Sequence, residues 1–392
     1  MTKTLNFSVR IGLMMLLAGM VLAGTDALAA VKTMRLAGGD GFITMADRRE
    51  SMYIFGFSDI TGVPEGEIFE VGALGANSPA PTIILDEGDE FYLQLTNVGM
   101  MMRPDLFDAH SVHWHGLPNS SPIFDGLPES AVVINMGATL TYYYKVTEPG
   151  TYLYHCHVEA TEHMQMGMIG NLWVRPAQNV TGAGPLVPPG KYVYNDGDGS
   201  TAYDREFPLQ FDSFDSNFHD ASITVQYLPF YEMKGNYPLI NGRGYPDTVA
   251  ASVPAPPENG DRPSQSVGSL IACNAGDRVL LRISNVSVTE FYTVATSGVP
   301  FTVVGKDAKL LRGPTGLSLA YNTNTLTLGG GESADVIFTA PAIQPPLNPA
   351  GYETYVFYTT NLNHLSNNTE DFGGLMTEIR VYPAGTLPPQ TF

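Results

Sequence analysis

The stretch "EGDEFYLQLTNVG" (residues 87–99) decides how the chain is read. Apolar and polar residues alternate in it between a Gly-Asp turn signal and an Asn-Val pair, the pattern of a half-buried strand. A second stretch, "AGDRVLLRISNVS" (275–287), repeats it at Gly88/Gly276, Asp89/Asp277, Leu93/Leu281, Asn97/Asn285 and Val98/Val286. Further along, "TYLYHCH" (151–157) lies against "TYVFYTT" (354–360). A weak internal repeat of this size means two duplicated domains rather than a stack of short units.

Runs of the same kind recur throughout the chain, among them "TIILD", "TLTYYYKV", "NLWVRP", "FTVVG", "ADVIFTA" and "TEIRVYP". They are rich in Val, Ile, Thr, Tyr and Phe, are separated by scattered Gly and Pro, and are unaccompanied by long helix-period segments. The fold class they predict is all-β, of sandwich type. Residues 177–190, inside the Pro- and Gly-crowded "PAQNVTGAGPLVPPGK", read as a linker between one domain at 30–176 and a second at 191–392. The first 29 residues carry Lys3 and Arg10, an apolar run from Ile11 to about Ala23, and Ala27-Leu28-Ala29. That is the pattern of a secretory signal, with a core shorter than the roughly 18 apolar residues of a membrane span. A periplasmic or extracellular protein with no membrane span is expected. Without residues 1–29 the net charge of −19 becomes −20, since Lys3, Arg10 and Asp26 leave together. Such a surface repels nucleic acid and favours cationic partners or metal ions.

Six of the eight histidines fall between residues 110 and 163, in "HSVHWHG" and "HCHVEATEH". One histidine is ordinarily a core residue satisfied by a carbonyl group; six in this window, with two His-x-His pairs, are not explained that way. Strand side chains alternate between faces. His113 and His115 therefore point one way and Trp114 the other, while His155 and His157 share a face that Cys156 avoids. Two neighbouring strands would present four imidazoles on one side, with Cys156 on the other, where His110, His163 and Met168 can meet it. A thiolate, two imidazoles and a weak thioether form the blue-copper electron-transfer set. Zinc is the chief chemical alternative, but structural zinc favours more thiolates and seldom takes Met. A disulfide between Cys156 and Cys273 competes in an oxidising compartment, although Cys273 lacks ligand-type neighbours and reads as a buried free thiol. Met100, Met101, Met102, Met164 and Met166 read as packing residues ahead of Cu(I) ligands. "NDGDGS" (195–200) lacks the spacing of a calcium loop and reads as a turn.

These motifs resemble those of the multicopper oxidases and their two-domain cupredoxin relatives, which include the copper nitrite reductases. The resemblance spans roughly residues 50 to 385 and also includes "LINGRGYPDT" and "GGGESADVIF". It implies two tandem cupredoxin-like Greek-key barrels, often in ring-shaped trimers. It assigns type 1 copper to His110, Cys156, His163 and Met168, type 2 copper to His113, and type 3 copper to His115, His155 and His157. Cys156 with its flanking histidines would carry electrons between the centres.

The second domain departs from that pattern. Family trinuclear clusters take four histidines from each of two domains, whereas here "EFYTVAT" (290–296) and "YTT" (358–360) stand where the motifs belong. A nitrite-reductase histidine would fall near Thr360. His364 reads as a surface-loop residue, and His219 as a structural one bonded to its own turn. Two copies of the first domain facing each other, a different protein, or an open four-histidine site would each resolve the deficit. The expected function is an exported copper oxidoreductase taking electrons from a small molecule, a metal ion or a cationic redox protein such as a cytochrome, with oxygen as the acceptor. The alternatives are a nitrite-reductase-like enzyme, a blue-copper carrier without oxidase activity, and copper storage.

Overall fold

The computed structural model describes residues 29–49, 51–118, 120–343 and 348–391. The signal pattern at 1–29, apart from Ala29, lies outside the described residues. The first half of the chain forms β1 (Val31–Ile43), β2 (Met52–Asp59), β3 (Ala80–Asp86), β4 (Glu90–Gly99), β5 (His113–His115), β6 (Thr139–Lys145), β7 (Gly150–His155) and β8 (Ile169–Arg175). They pair as two four-stranded sheets, β2-β1-β4-β6 and β3-β8-β7-β5. The second half forms β9 (Arg205–Phe214), β10 (Tyr237–Ile240), β11 (Ile271–Asn274), β12 (Arg278–Asn285), β13 (Tyr292–Thr296) and β14 (Phe301–Lys306). It continues with β15 (Lys309–Leu310), β16 (Tyr321–Thr323), β17 (Thr325–Leu328), β18 (Ser333–Thr339), β19 (Glu353–Thr359) and β20 (Met376–Tyr382). Their sheets run β10-β9-β12-β18-β14-β15, with β16 beside β14, and β11-β20-β19-β13-β17.

The duplication is visible in strand pairing. β1 runs parallel to β4, as β9 does to β12; β3 runs parallel to β8, as β11 does to β20. Each domain buries the inward-facing half of its alternating strands. Leu93 and Leu95 of β4 lie in the first core, and Leu281 and Ile283 of β12 in the second. Both domains are cupredoxin-like sandwiches.

The two halves share packing. One apolar cluster joins Ile43, Met52 and Ile54 to Phe214, Tyr237 and Leu239, and another joins Leu153 and Ile169 to Val286. A buried ionic network also links the two halves. Glu206 accepts from Arg175 and Arg282, each at 2.7 Å, and Asp335 accepts from Thr151 at 2.5 Å. Arg282 is 1% exposed and lies between Glu206 and Asp335, so truncating it would remove the buried cation that the two carboxylates share. The segment 177–190 includes a short helix, Gln178–Thr181, with Gln178 buried.

His219, on the helix Ser216–Ile223, does not bond its own turn as expected from the sequence. Its Nδ1–H donates across the domain boundary to the Tyr53 carbonyl oxygen at 2.6 Å, because the helix packs on β2 rather than standing at the surface. Burial holds this imidazole at about 4, below its usual 6.5, so the folded protein keeps it neutral. Its stabilising contribution is therefore complete above the unfolded value and is lost as pH falls through the folded one. Denaturation midpoints measured from pH 7 down to pH 4 should show a loss of about 3 kcal/mol that a His219→Gln variant lacks.

Candidate copper centres

β5 is only three residues long, but its register fixes the site. His113 pairs with His155, Trp114 with Tyr154 and His115 with Leu153. The pleat turns Trp114 into the core, where it stacks on Tyr144 at 3.9 Å, and turns the imidazoles of both strands to the opposite face. There the ring of His113 lies 5.8 Å from His115, 5.2 Å from His155 and 5.1 Å from His157, and His155 lies 5.5 Å from His157.

Two of these rings have fixed tautomers. His113 Nδ1 donates to the Asp125 carbonyl oxygen at 2.5 Å, and His155 Nδ1 to that of Cys156 at 2.8 Å. Each is left with a free Nε2 lone pair. Burial lowers the pKa of His113 and His115, and brings His155 down to about 3. Neutral imidazoles are the metal-binding form. The face opens into a cleft of about 460 Å³ lined by His115, His155 and His157 on one side, and by Thr289, Glu290 and Gly331 of the second domain on the other.

Cys156 points away from this face. Its Sγ lies 3.2 Å from His163 Nδ1, and one ligand atom each from His110, Cys156 and His163 fall within 4.8 Å of one another. All three residues are fully buried. Neither ring nitrogen of His110 has an oxygen or nitrogen partner among the described residues. Burying such nitrogens without a partner is costly, and a metal ion held with Cys156 and His163 would satisfy one of them. Burial alone would raise the thiol pKa; the facing imidazoles of His163 and His110 overcome it and hold the thiol well below its usual value. His163 is raised to about 10, the thiolate and Asp108 outweighing its burial. Met168 returns to this pocket through two backbone bonds: the Cys156 amide donates to the Met168 carbonyl at 3.1 Å, and the Met168 amide to that of His163 at 2.9 Å. Both cysteines are free and buried, so no disulfide competes.

Seven of the eight residues singled out from the sequence thus fall by their side chains into two groups, and the backbone of Met168 is bonded beside the first. Two other expectations need correction. His364 is 4% exposed rather than a surface residue, because the turn Leu362–His364 folds inward over β13 and sets its ring against Tyr292. Met101 and Met102 are 62% and 42% exposed, so packing explains Met100 and Met166 but not these two. Sequence reading passed over Asp125 and Asp108, neither of which carries a spacing signal.

A thiolate pocket and a four-imidazole face on tandem cupredoxin-like sandwiches define a copper protein. Sequence models of the family described as multicopper oxidase match residues 62–179 and 222–371. The chain belongs to the multicopper oxidase family, whose cofactor is copper. It is 35% identical over 121 residues to multicopper oxidase MCE of Talaromyces pinophilus, covering 30% of this chain and 19% of that protein. To the L-ascorbate oxidase of Nicotiana tabacum it is 26% identical over 290 residues, covering 70% of this chain and 43% of that one. The chain therefore spans under half the length of these curated relatives. Among solved structures it is similar to the blue copper oxidase of Nitrosomonas europaea, with a TM-score of 0.64, 22% identity, and 90% and 86% of the two chains covered.

The cleft leaves little room at His115. Gly331 has φ +88°, and a Cβ there would lie 2.3 Å from His115 Cε1. A Gly331→Ala variant should lose about 1–2 kcal/mol of stability and bind less copper on the imidazole face, with copper uptake at the Cys156 pocket unchanged. Copper titration followed by absorption and electron-spin resonance checks this.

Proposed function

We propose that the chain is an exported, copper-dependent oxidoreductase of the multicopper oxidase type, with oxygen as the electron acceptor. When bound, copper supplies one-electron redox chemistry at His110, Cys156, His163 and Met168, and reduction of the acceptor at His113, His115, His155 and His157. The observation that carries this reading is the strand end His155-Cys156-His157. Its central side chain enters the buried pocket and its two neighbours enter the imidazole face, so one peptide unit on either side of Cys156 joins the two groups. The protein residues do the positioning. Asp125 and the Cys156 carbonyl orient His113 and His155, while the surrounding core keeps water from the thiolate.

The second domain limits what the imidazole face can hold. Strand pairing puts Ala295 where His113 stands and Tyr358 where His155 stands, and Thr360 follows as His157 does. Among the described residues this face offers four imidazoles from one domain, enough for one or two coppers. A full eight-histidine cluster requires a second copy of the chain or another protein, and a ring-shaped trimer is the assembly suggested by resemblance. The donor belongs to one of three classes: a small reductant, a metal ion, or a cationic redox protein such as a cytochrome drawn to the acidic surface. The second reading, a blue-copper carrier without oxidase activity, is favoured by those same replacements in the second domain. A nitrite-reductase-like acceptor chemistry would also need an imidazole that Thr360 does not supply.

Copper per chain separates the readings. Two or more coppers in the loaded protein, with a second resonance that disappears in His115→Ala while the blue band stays, are expected. A single copper with only the blue signal would establish the carrier and remove the oxidase.

A further inference from the structure

His364 repeats the position of His163. In domain 1 the Cys156 amide donates to Met168 and the Met168 amide to His163; in domain 2 the Thr359 amide donates to Leu375 at 3.0 Å and the Leu375 amide to His364 at 3.0 Å. The other side of the pocket agrees. Asn97 Nδ2 donates to the carbonyl groups of Asp108 and Ile134, and Asn285 Nδ2 to those of Glu290 and Leu328. Ile134 pairs with His110, and Leu328 pairs with Tyr292. Tyr292 therefore stands in the place of His110. Even the carboxylate beside the imidazole recurs: Asp108 is 3.8 Å from His163 Nε2, and Glu290 is 3.7 Å from His364 Nε2. The ring pairs match as well, with His110 5.2 Å from His163 and Tyr292 5.2 Å from His364.

We propose that domain 2 contains a second copper pocket that has lost its thiolate but kept its scaffold, with His364 as the retained ligand histidine. Thr359, Tyr292 and Leu375 fill the places of Cys156, His110 and Met168, and all three are fully buried. The Tyr292 hydroxyl donates to the Asp212 carbonyl, and Leu375 offers no donor atom. His364 Nδ1 is a buried nitrogen without a hydrogen-bond partner among the described residues, as an imidazole that once faced a ligand would be. One imidazole with a hydroxyl does not hold copper in this way, so each chain accepts electrons through domain 1 alone. The inference rests on the reading of the Cys156 pocket as a blue-copper site.

The experiment restores the missing ligands. In a Cys156→Ser background, the variant Tyr292→His/Thr359→Cys/Leu375→Met is loaded with Cu(II) and compared with the unsubstituted chain. An intense blue band with narrowed hyperfine splitting, and one equivalent of copper beyond that bound by Cys156→Ser alone, are expected, and adding His364→Gln should abolish the band and that extra equivalent. A folded variant without the blue band, or one whose blue band survives His364→Gln, overturns the proposal. An unsubstituted chain that takes up no blue copper overturns the domain 1 reading, and this inference with it. Should the multiple variant not fold, Thr359→Cys alone, with Cys156→Ser, provides the readout. The introduced thiol and His364 should bind Hg(II) together, with a sulfur-to-metal ultraviolet band and an affinity that fall in His364→Gln; binding unchanged by that substitution overturns the proposal.

Discussion

The hydrogen bond from the Cys156 amide to the Met168 carbonyl closes the loop on which both metal groups depend. It extends the pairing of β7 with β8 past its last ladder pair, His155 with Ile169, so Cys156 keeps the alternation of the strand while the chain beyond it turns into the helix Ala160–Gln165. With that alternation in place, the thiol points into the pocket and its neighbours face the opposite side. A one-residue slip would exchange the two groups and put an imidazole where the thiolate stands. The pairing of His113 with His155 then adds two more imidazoles to the same face without any further device.

The second domain supports this arrangement rather than completing it. Asp335 and Ser333 of β18 hold Thr151 of β7, and Gly331 packs directly under His115. Glu290 lies in the cleft facing the imidazoles and also beside His364. Duplication thus left a domain that braces the first one's site through its strands while its own ligand positions became core. The change is chemically simple: a phenol, a hydroxyl and an aliphatic side chain now fill space that an imidazole, a thiolate and a thioether fill in domain 1.

Strands with alternation, such as β4 and β6, were legible in the sequence because a half-buried strand writes its burial in every second residue. β1 was not. Its "LAGGDGF" carries three glycines and no apolar alternation; a Cβ on Gly38 would sit 3.0 Å from His110 Cδ2, so the strand's composition is set by what packs on it. The clustering of the thiol and the imidazoles was legible because His-x-His and His-Cys-His at strand alternation leave few arrangements. His364 was not, since it lies five residues beyond Thr359 whereas His163 lies seven beyond Cys156. Loops of unequal length hide an equivalence that backbone hydrogen bonds display. The partners Asp108 and Asp125 are tertiary, and no local pattern marks them.

The central claim is that one copper is bound by the Cys156 thiolate together with His110 and His163. X-ray absorption at the copper edge of protein loaded with a single equivalent of copper tests it most directly. The account predicts one short copper–sulfur bond and two nitrogen neighbours, with the sulfur contribution absent in Cys156→Ser. A first shell made only of nitrogen and oxygen, unchanged by that substitution, would contradict it.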